Sequence, residues 1–342
     1  MSDGWFTLAF CVSVLCAGVM GFAIQRGATC TVAAVDELVT RRRATRLCSI
    51  VEASAWVVAG LLFARALGVS WTMPAGYPVG IATILGGALL GFGAYVNRAC
   101  VFGAIARLGS GEWAYAATPV GFYVGCLTVS LFPVAAPAYA TRMSLVLDGP
   151  TWLALLAAAF VAMRAGRALI RASIGQRRMF REHVAATLRP RAWSPHAATC
   201  VIGVAFVVML LLSGAWAYTD VLADLAHGMA SSLPARIGLL LALFAGAIAG
   251  GVTTGRFRGT RVTPGAVLRC VAGGLLMGWG SLLIPGSNDG LVLVGMPLLL
   301  PHAWVAFLTM CVVIGAAILV RALLASAAVH AGRSMPISRT TK

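Results

Sequence analysis

Acidic residues are scarce in this sequence, and charged residues of either sign are few. Only 10 of the 342 residues are Asp or Glu, and all charged residues together make up 11% of the chain. A soluble domain of ordinary composition carries about 25% charged residues. The mean hydropathy is +0.91, and apolar runs are spread from one end of the chain to the other. This composition excludes a soluble globular protein and predicts a polytopic protein in a lipid bilayer.

Cysteine pairs of the Cys-x-x-Cys type are absent, although the chain contains nine cysteines. Most of these cysteines lie inside apolar runs, where a free cysteine behaves as a small buried hydrophobic residue. The spacing argues against a zinc site and against a disulfide framework. We therefore expect neither a metal nor another cofactor.

A basic segment is missing in front of the first apolar run, which extends from Trp5 to Ile24. The preceding residues, Met1 to Gly4, contain one acid and no cation. Because a secretory signal peptide begins with a positively charged region, this run is predicted to be a retained transmembrane helix.

Apolar runs long enough to cross a bilayer, which takes about 20 residues, recur along the chain. There are nine of them, at 5–24, 48–68, 79–96, 112–133, 150–170, 198–217, 236–254, 265–284 and 302–325. They predict an all-α polytopic membrane protein with about nine transmembrane helices.

The net charge of +16 comes largely from arginines clustered between the apolar runs. A strongly basic chain can bind nucleic acid, but these clusters follow every second run, beginning with the first. Arginines in alternate loops are typical of the cytoplasmic side of a membrane protein. We therefore expect no nucleic-acid partner, and we predict an N-terminus outside and a C-terminus in the cytoplasm.

A glycine motif occurs twice in the sequence, at an offset of 187 residues. Its copies are Gly86-Gly87-Ala88-Leu89-Leu90-Gly91-Phe92-Gly93 and Gly273-Gly274-Leu275-Leu276-Met277-Gly278-Trp279-Gly280. At the same offset the first span coincides with the sixth, and the end of the fourth with the end of the ninth. Close helix packing explains the glycines but does not explain the shared offset.

The repeat predicts two four-span halves, 1–149 and 198–342. A transmembrane helix and a basic cytoplasmic loop, 150–197, would join them. Because an odd number of spans separates the two copies, the second half would be inverted in the membrane. Inverted repeats are typical of transporters, whose binding site lies near the middle of the bilayer.

Two spans of the first half end in the same way. Cys30 follows Phe22 by eight residues, and Cys100 follows Phe92 at the same spacing. After each cysteine the chain stays mildly apolar before it turns basic. This pattern predicts two short re-entrant helices, each with a cysteine near its N-terminus.

A helix N-terminus favours an anion, because free backbone N–H groups point outward there and the helix dipole is positive. Two such termini, with Arg26 and Arg98 nearby, would form a small anion-binding funnel to which Gln25 and Asn97 add hydrogen bonds. The thiols would act either as weak S–H donors or as thiolate nucleophiles. The alternative is that the arginines only snorkel to the membrane interface and that the amides only end a helix.

In the second half, Ser287 stands at the position that corresponds to Cys100. Ser287 and Asn288 would donate hydrogen bonds to an anion, whereas Asp289 would oppose one. The alternative is an ordinary extracellular turn. The counterpart of Cys30 lies near Ala217 and carries no thiol.

These motifs resemble those of the YeeE/YedE family of sulfur-transport membrane proteins. The matching residues are Gly21-Phe22, Gln25-Arg26 and Cys30, Gly86-Gly87, Gly91-Phe92-Gly93, Cys100 and Gly103, and Gly273-Gly274 with Gly278-Trp279-Gly280. The resemblance implies an hourglass-shaped thiosulfate permease of the bacterial inner membrane, with two halves related by pseudo-twofold inversion. It also implies that thiols on short re-entrant helices relay the ion by S–H···S hydrogen bonds. Family members often operate with a TusA-like sulfur carrier in the cytoplasm.

Cys30 and Cys100 match cysteines of the family motifs. A third family cysteine usually follows the last glycine motif within a Gly-Cys-Thr pattern, and this chain instead has Gly286-Ser287-Asn288. We predict a permease, not an enzyme, for a small sulfur-containing anion, with thiosulfate as the first choice. The alternatives are a membrane sulfur-relay protein that forms a persulfide on Cys100, and a channel for another small anion or a selenium compound.

Overall fold

The computed structural model describes residues 2–69, 76–129, 144, 146, 151–174, 192–228 and 233–333. Within these ranges the regular structure is helical. The helices are α1 (Ser2–Gly27), α2 (Thr31–Arg41), α3 (Thr45–Ala66), α4 (Ile81–Asn97), α5 (Val101–Gly109), α6 (Ala117–Thr128), α7 (Thr151–Ile174), α8 (Pro195–Ser213), α9 (Tyr218–Ala226), α10 (Leu233–Thr253), α11 (Pro264–Leu283), α12 (Asn288–Gly290) and α13 (Pro301–Arg333). A 3₁₀ turn, Trp113–Ala116, precedes α6, and a π-helical turn, Leu291–Gly295, follows α12.

Seven helical segments in the described ranges are long and apolar enough to cross a membrane. They are Leu8–Arg41, Thr45–Ala66, Ile81–Gly109, Pro195–Ser213, Pro234–Thr253, Pro264–Leu283 and Pro301–Ala327. The all-α polytopic class is therefore confirmed, and the count of nine stays a prediction. The two remaining expected spans are 112–133, which contains α6 and extends beyond the described residues, and 150–170, which lies within α7 except for residue 150, outside the described residues.

The two halves of the chain repeat the same order of long and short helices. The short helix α2 begins at Thr31, and α9 begins at Tyr218, which is 187 residues further on. At the same offset, α5 begins at Val101 and α12 at Asn288. The offset found in the glycine motif thus also relates the first residues of the short helices.

Helices α4 and α11, which carry the two glycine motifs, pack directly against each other. A Cβ atom at Gly93 would lie 2.7 Å from the carbonyl oxygen of Gly273, and one at Gly86 would lie 2.7 Å from that of Gly280. The two helices are antiparallel. At the 187-residue offset Gly93 corresponds to Gly280 and Gly86 to Gly273, so exchanging the two copies of the motif turns the pair Gly93–Gly273 into the pair Gly280–Gly86. Contacts across a two-fold axis have this reciprocity, which favours the predicted inversion.

We expect Gly93→Ala to destabilise the protein by about 1–3 kcal/mol, because the added methyl group meets backbone that cannot rotate away. Gly166→Ala on α7 is the matched control, since a Cβ there meets nothing within 4 Å. Thermal unfolding in detergent, followed by size-exclusion chromatography, would compare the two variants. Equal midpoints would show that the close approach of α4 and α11 contributes nothing to stability.

Helix α7 is linked to α3 and α8 through one carboxylate. The Glu52 Oε1 atom on α3 lies 2.5 Å from Arg164 of α7, and Oε2 lies 2.5 Å from His196 Nδ1 of α8. Helices α3, α7 and α8 therefore meet at Glu52.

Candidate functional site

Helix α1 ends in a sharp turn that places Cys30 at the start of α2. Ala28 has a left-handed backbone with φ of 47°, and the Thr29 N–H donates to the Ile24 carbonyl at 3.1 Å. A left-handed residue followed by such a bond is a common way to terminate a helix. The chain then becomes extended at Cys30, the N-cap residue, and α2 begins at Thr31.

Helix α4 ends in the same way in front of Cys100. Arg98 is left-handed with φ of 60°, and the Ala99 N–H donates to the Ala94 carbonyl at 3.1 Å. Cys100 is the N-cap residue of α5, which begins at Val101. The prediction of two short helices that follow cysteines is confirmed. A left-handed non-glycine residue costs about 1–2 kcal/mol, so the fold holds both turns against local strain.

The two thiols, which are 70 residues apart in sequence, are in contact. The Cys100 Sγ atom lies 3.8 Å from Cys30 Sγ, and the Thr31 backbone N–H donates to Cys100 Sγ at 3.1 Å. Cys100 is 0% exposed and Cys30 is 9% exposed. The N-termini of α2 and α5 thus converge on a pair of sulfur atoms, of which Cys30 is the more accessible.

A large basic cavity opens next to Cys30. Its volume is about 840 Å³, and its lining includes six arginines but only two acids, Asp36 and Glu112. The arginines are Arg46, Arg98, Arg107, Arg256, Arg269 and Arg321. A concave surface lined by one sign of charge concentrates ions of the opposite sign. The cavity therefore attracts small anions toward the Cys30 thiol.

Gln25 and Arg26 are adjacent in sequence but occupy different surroundings. Gln25 lines the basic cavity; its Nε2 atom donates to Ser110 Oγ at 3.3 Å, and its buried Oε1 atom has no hydrogen-bond partner among the described residues. Arg26 is buried, donates to Thr253 Oγ1 at 2.9 Å and lies over the Phe22 ring. Arg26 is not part of the cavity lining; its side chain lies between Phe22 of α1 and Thr253 of α10.

Asn97 and Arg98 are also adjacent in sequence and also occupy different surroundings. The buried Asn97 side chain donates to the Ala99 carbonyl at 2.9 Å and accepts a hydrogen bond from Thr118 at 3.1 Å. These bonds hold the end of α4 against α6, and Asn97 does not line the cavity. Arg98 is exposed and does line it.

On the other side of the thiol pair, Ser287 is the N-cap residue of the short helix α12, at the position that corresponds to Cys100. Its hydroxyl group is buried and bonds to Thr219 and to the Asp289 carboxylate. Ser287 and Thr219 line a small pocket of about 130 Å³, which also contains Asp220 and Asp224. This second cavity is small and acidic, in contrast to the basic cavity beside Cys30.

Thr31 joins the two sides of the site. Its hydroxyl donates to Asn288 Oδ1 at 3.4 Å, while its backbone N–H binds the Cys100 sulfur. Both Thr31 and Asn288 are fully buried, and within the described ranges Asn288 Nδ2 has no hydrogen-bond partner. Thr31 and Thr219 were not predicted from the sequence as site residues. Their one local signal is that each lies at the start of a short helix, Thr31 after Cys30 and Thr219 after Ala217 and Tyr218.

Comparison with known protein families gives a match over most of the chain. A family profile described as sulphur transport matches residues 26–318, and the chain therefore belongs to this family, that of the YeeE/YedE sulfur-transport proteins. No curated protein matches the chain. Together with the seven apolar helices, the family assigns a multi-pass membrane protein that transports a sulfur compound, with a small anion as substrate.

Proposed function

We propose that the protein is a permease for thiosulfate, which passes the two thiols by forming S–H hydrogen bonds. The observation that carries this proposal is a continuous line of polar groups through the buried centre. It extends from Ser287 through Asn288 and Thr31 to Cys100 and Cys30, and it ends at the basic cavity. Each group on this line touches the next or is its neighbour in sequence.

The chemistry of the line suits an ion that must be bound and then released. Thiols are weak hydrogen-bond donors, and a site that conducts must bind its ion loosely enough to let it leave. The N-termini of α2 and α5 add partial positive charge beside the two sulfur atoms. In this proposal Gln25, Arg98, Ser287 and Asn288 contact the ion, whereas Arg26 and Asn97 only position the helix ends.

The line is closed between the two cavities, because Cys100, Thr31 and Asn288 are fully buried. Transport therefore requires the short helices to separate. Reciprocal contacts between α4 and α11 support two inverted halves, 1–149 and 198–342, with 150–197 between them.

The proposed setting is the bacterial inner membrane, with the N-terminus outside and the basic cavity open to the cytoplasm. An excess of arginine on one side of a membrane protein supports this orientation. A TusA-like sulfur carrier is the proposed cytoplasmic acceptor.

A sulfur relay through a persulfide on Cys100 is less consistent with the geometry. An acceptor protein would have to reach a thiol that is 0% exposed and lies behind Cys30. Another small anion or a selenium compound is the stronger alternative to thiosulfate as the substrate. Ser287, which replaces the third family cysteine, would bind through oxygen rather than sulfur.

The test is uptake of radiolabelled thiosulfate into liposomes that contain the purified protein, compared with protein-free liposomes. We expect saturable uptake that unlabelled thiosulfate inhibits and that sulfate, sulfite and selenite inhibit weakly. Equal inhibition by sulfate would show that sulfur chemistry does not set the specificity. A wild-type protein that transports none of these anions would overturn the proposal.

We expect Arg98→Gln to raise the thiosulfate concentration at half-maximal uptake about fivefold, because an exposed charge pair contributes about 1 kcal/mol at most. Arg167→Gln is the matched control, since Arg167 lines a different cavity beside α7. Uptake kinetics at low and high salt would show the difference shrinking as ions screen the cavity. An unchanged half-maximal concentration for Arg98→Gln would remove this arginine from the binding site.

A further inference from the structure

A buried carboxylate lies beside the transport pathway. Asp289 is 3% exposed, and its Oδ1 atom accepts hydrogen bonds from the Ser287 hydroxyl and, at 2.5 Å, from the Thr219 hydroxyl. Its Oδ2 atom accepts from the Thr219 backbone N–H at 3.5 Å. All of these partners are neutral, and Ser287 is the group that the ion would contact.

Among the described residues, Asp289 forms no salt bridge. The titratable groups that interact electrostatically with Asp289 are Asp220 and Tyr218 of α9. These two in turn interact with Asp224 of α9, Arg236 of α10, Cys126 of α6 and Cys100, the N-cap residue of α5. The one cation in this set, Arg236, already pairs with Asp224. An unpaired buried charge is costly, and a negative one would also repel an anion at Ser287.

One further observation ties this carboxylate to a ligand, and a second distinguishes it from the first half of the repeat. In the part of the chain that the structure describes, Asn288, the residue between Ser287 and Asp289, has a fully buried Nδ2 donor without a partner, although its Oδ1 atom bonds to Thr31. An unsatisfied buried donor on the line suits an acceptor that is present only during transport. The first half has no equivalent acid, because Phe102 stands at the position that corresponds to Asp289 and Ala33 at that of Asp220.

We propose that transport is coupled to protons and that Asp289 is the proton-binding group. This inference rests on the proposed function. Asp289 takes up one H⁺ before the anion reaches Ser287, and as a neutral acid it donates its O–H to the anion instead of repelling it. When the anion moves past Asn288 to the thiols, Asp289 releases the proton to the side of the membrane on which the anion leaves. The proton and the anion therefore cross in the same direction, and each proton offsets one of the two charges of a dianion.

The test uses wild-type proteoliposomes with the membrane potential held at zero by potassium and valinomycin. With the outside one pH unit more acidic than the inside, one proton per anion would drive about tenfold accumulation of labelled thiosulfate, since one pH unit is a factor of ten. A pH-sensitive dye trapped inside would also report acidification when thiosulfate is added. Uptake that only equilibrates and causes no acidification overturns the proposal. If there is no uptake under any gradient, the failure lies with the proposed permease function instead.

The variant Asp289→Asn tests the role of the carboxylate alone, because the other groups of the pathway stay unchanged. We expect this variant to equilibrate thiosulfate across the membrane without accumulation and without acidification. Asp289→Glu is expected to restore both, and Glu37→Gln, which changes an acid paired with Arg46, is expected to behave as the wild type. If Asp289→Asn fails to transport, the Glu variant decides: restored accumulation supports the proposal, and uptake without acidification overturns it. Accumulation by Asp289→Asn equal to that of the wild type excludes Asp289 as the proton-binding group.

Discussion

Cys100→Ala is expected to reduce thiosulfate uptake by about 10- to 100-fold, which is the effect of losing a hydrogen bond to a charged group. Cys100 lies between Cys30 and Thr31 on the polar line, so its removal interrupts the line at its centre. The methyl group of alanine offers the ion no donor at this point. Initial rates in proteoliposomes, normalised to the amount of inserted protein, would measure the loss.

Two companion variants make this result specific to the thiol. Cys100→Ser keeps a hydrogen-bond donor but loses the polarizable sulfur, and we expect an intermediate rate. Cys11→Ala, which changes an exposed cysteine on α1, is expected to leave uptake unchanged. A folded Cys100→Ala protein, identified by its monodisperse elution in detergent, that transports at the wild-type rate would eliminate the thiol relay.

Gly103→Ala is expected to lower uptake by about tenfold or more, although it removes neither a thiol nor a charge. A Cβ atom at Gly103 would lie 2.4 Å from Cys30 Sγ and 3.0 Å from Cys30 Cβ. Both distances are shorter than van der Waals contact, so the thiol would have to leave its place beside Cys100. A misplacement of about 1 Å in a site of this kind is enough for a loss of two orders of magnitude.

The effect should be local to Cys30. Gly265→Ala at the start of α11 is the matched control, since a Cβ there meets nothing within 4 Å. Besides uptake, the rate at which a water-soluble maleimide modifies Cys30 should change in Gly103→Ala and not in Gly265→Ala. If Gly103→Ala transports normally while maleimide shows a displaced thiol, then contact between the two cysteines is not needed for transport.

The spacing of Cys30 and Cys100 in the sequence predicted correctly where the short helices begin. That information is local, because a helix that ends in a left-handed turn and restarts within three residues leaves its pattern in adjacent positions. The 187-residue offset also relates Ser287 to Cys100, and in the structure Ser287 is the N-cap residue of α12 as Cys100 is of α5. The roles of these residues in transport stay predictions.

The surroundings of the arginines and amides were not predictable in the same way. Arg26 and Arg98 each lie a few residues before a cysteine, yet Arg26 packs against Phe22 and Thr253 whereas Arg98 faces the cavity. A sequence position tells how far a residue is from the cysteine along the chain. The surroundings of its side chain depend on which helix packs against it, and for Arg26 this helix is α10.

The sequence by itself determined the membrane class, the repeat and the helix breaks, because hydropathy, the 187-residue offset and turn geometry are all properties of neighbouring or regularly spaced residues. Only the tertiary structure decided which groups form the polar line. Thr31 and Asn288 are 257 residues apart and meet because the fold brings the starts of α2 and α12 together. Such a contact costs chain entropy that only the packed core offsets, so no local pattern in the sequence encodes it.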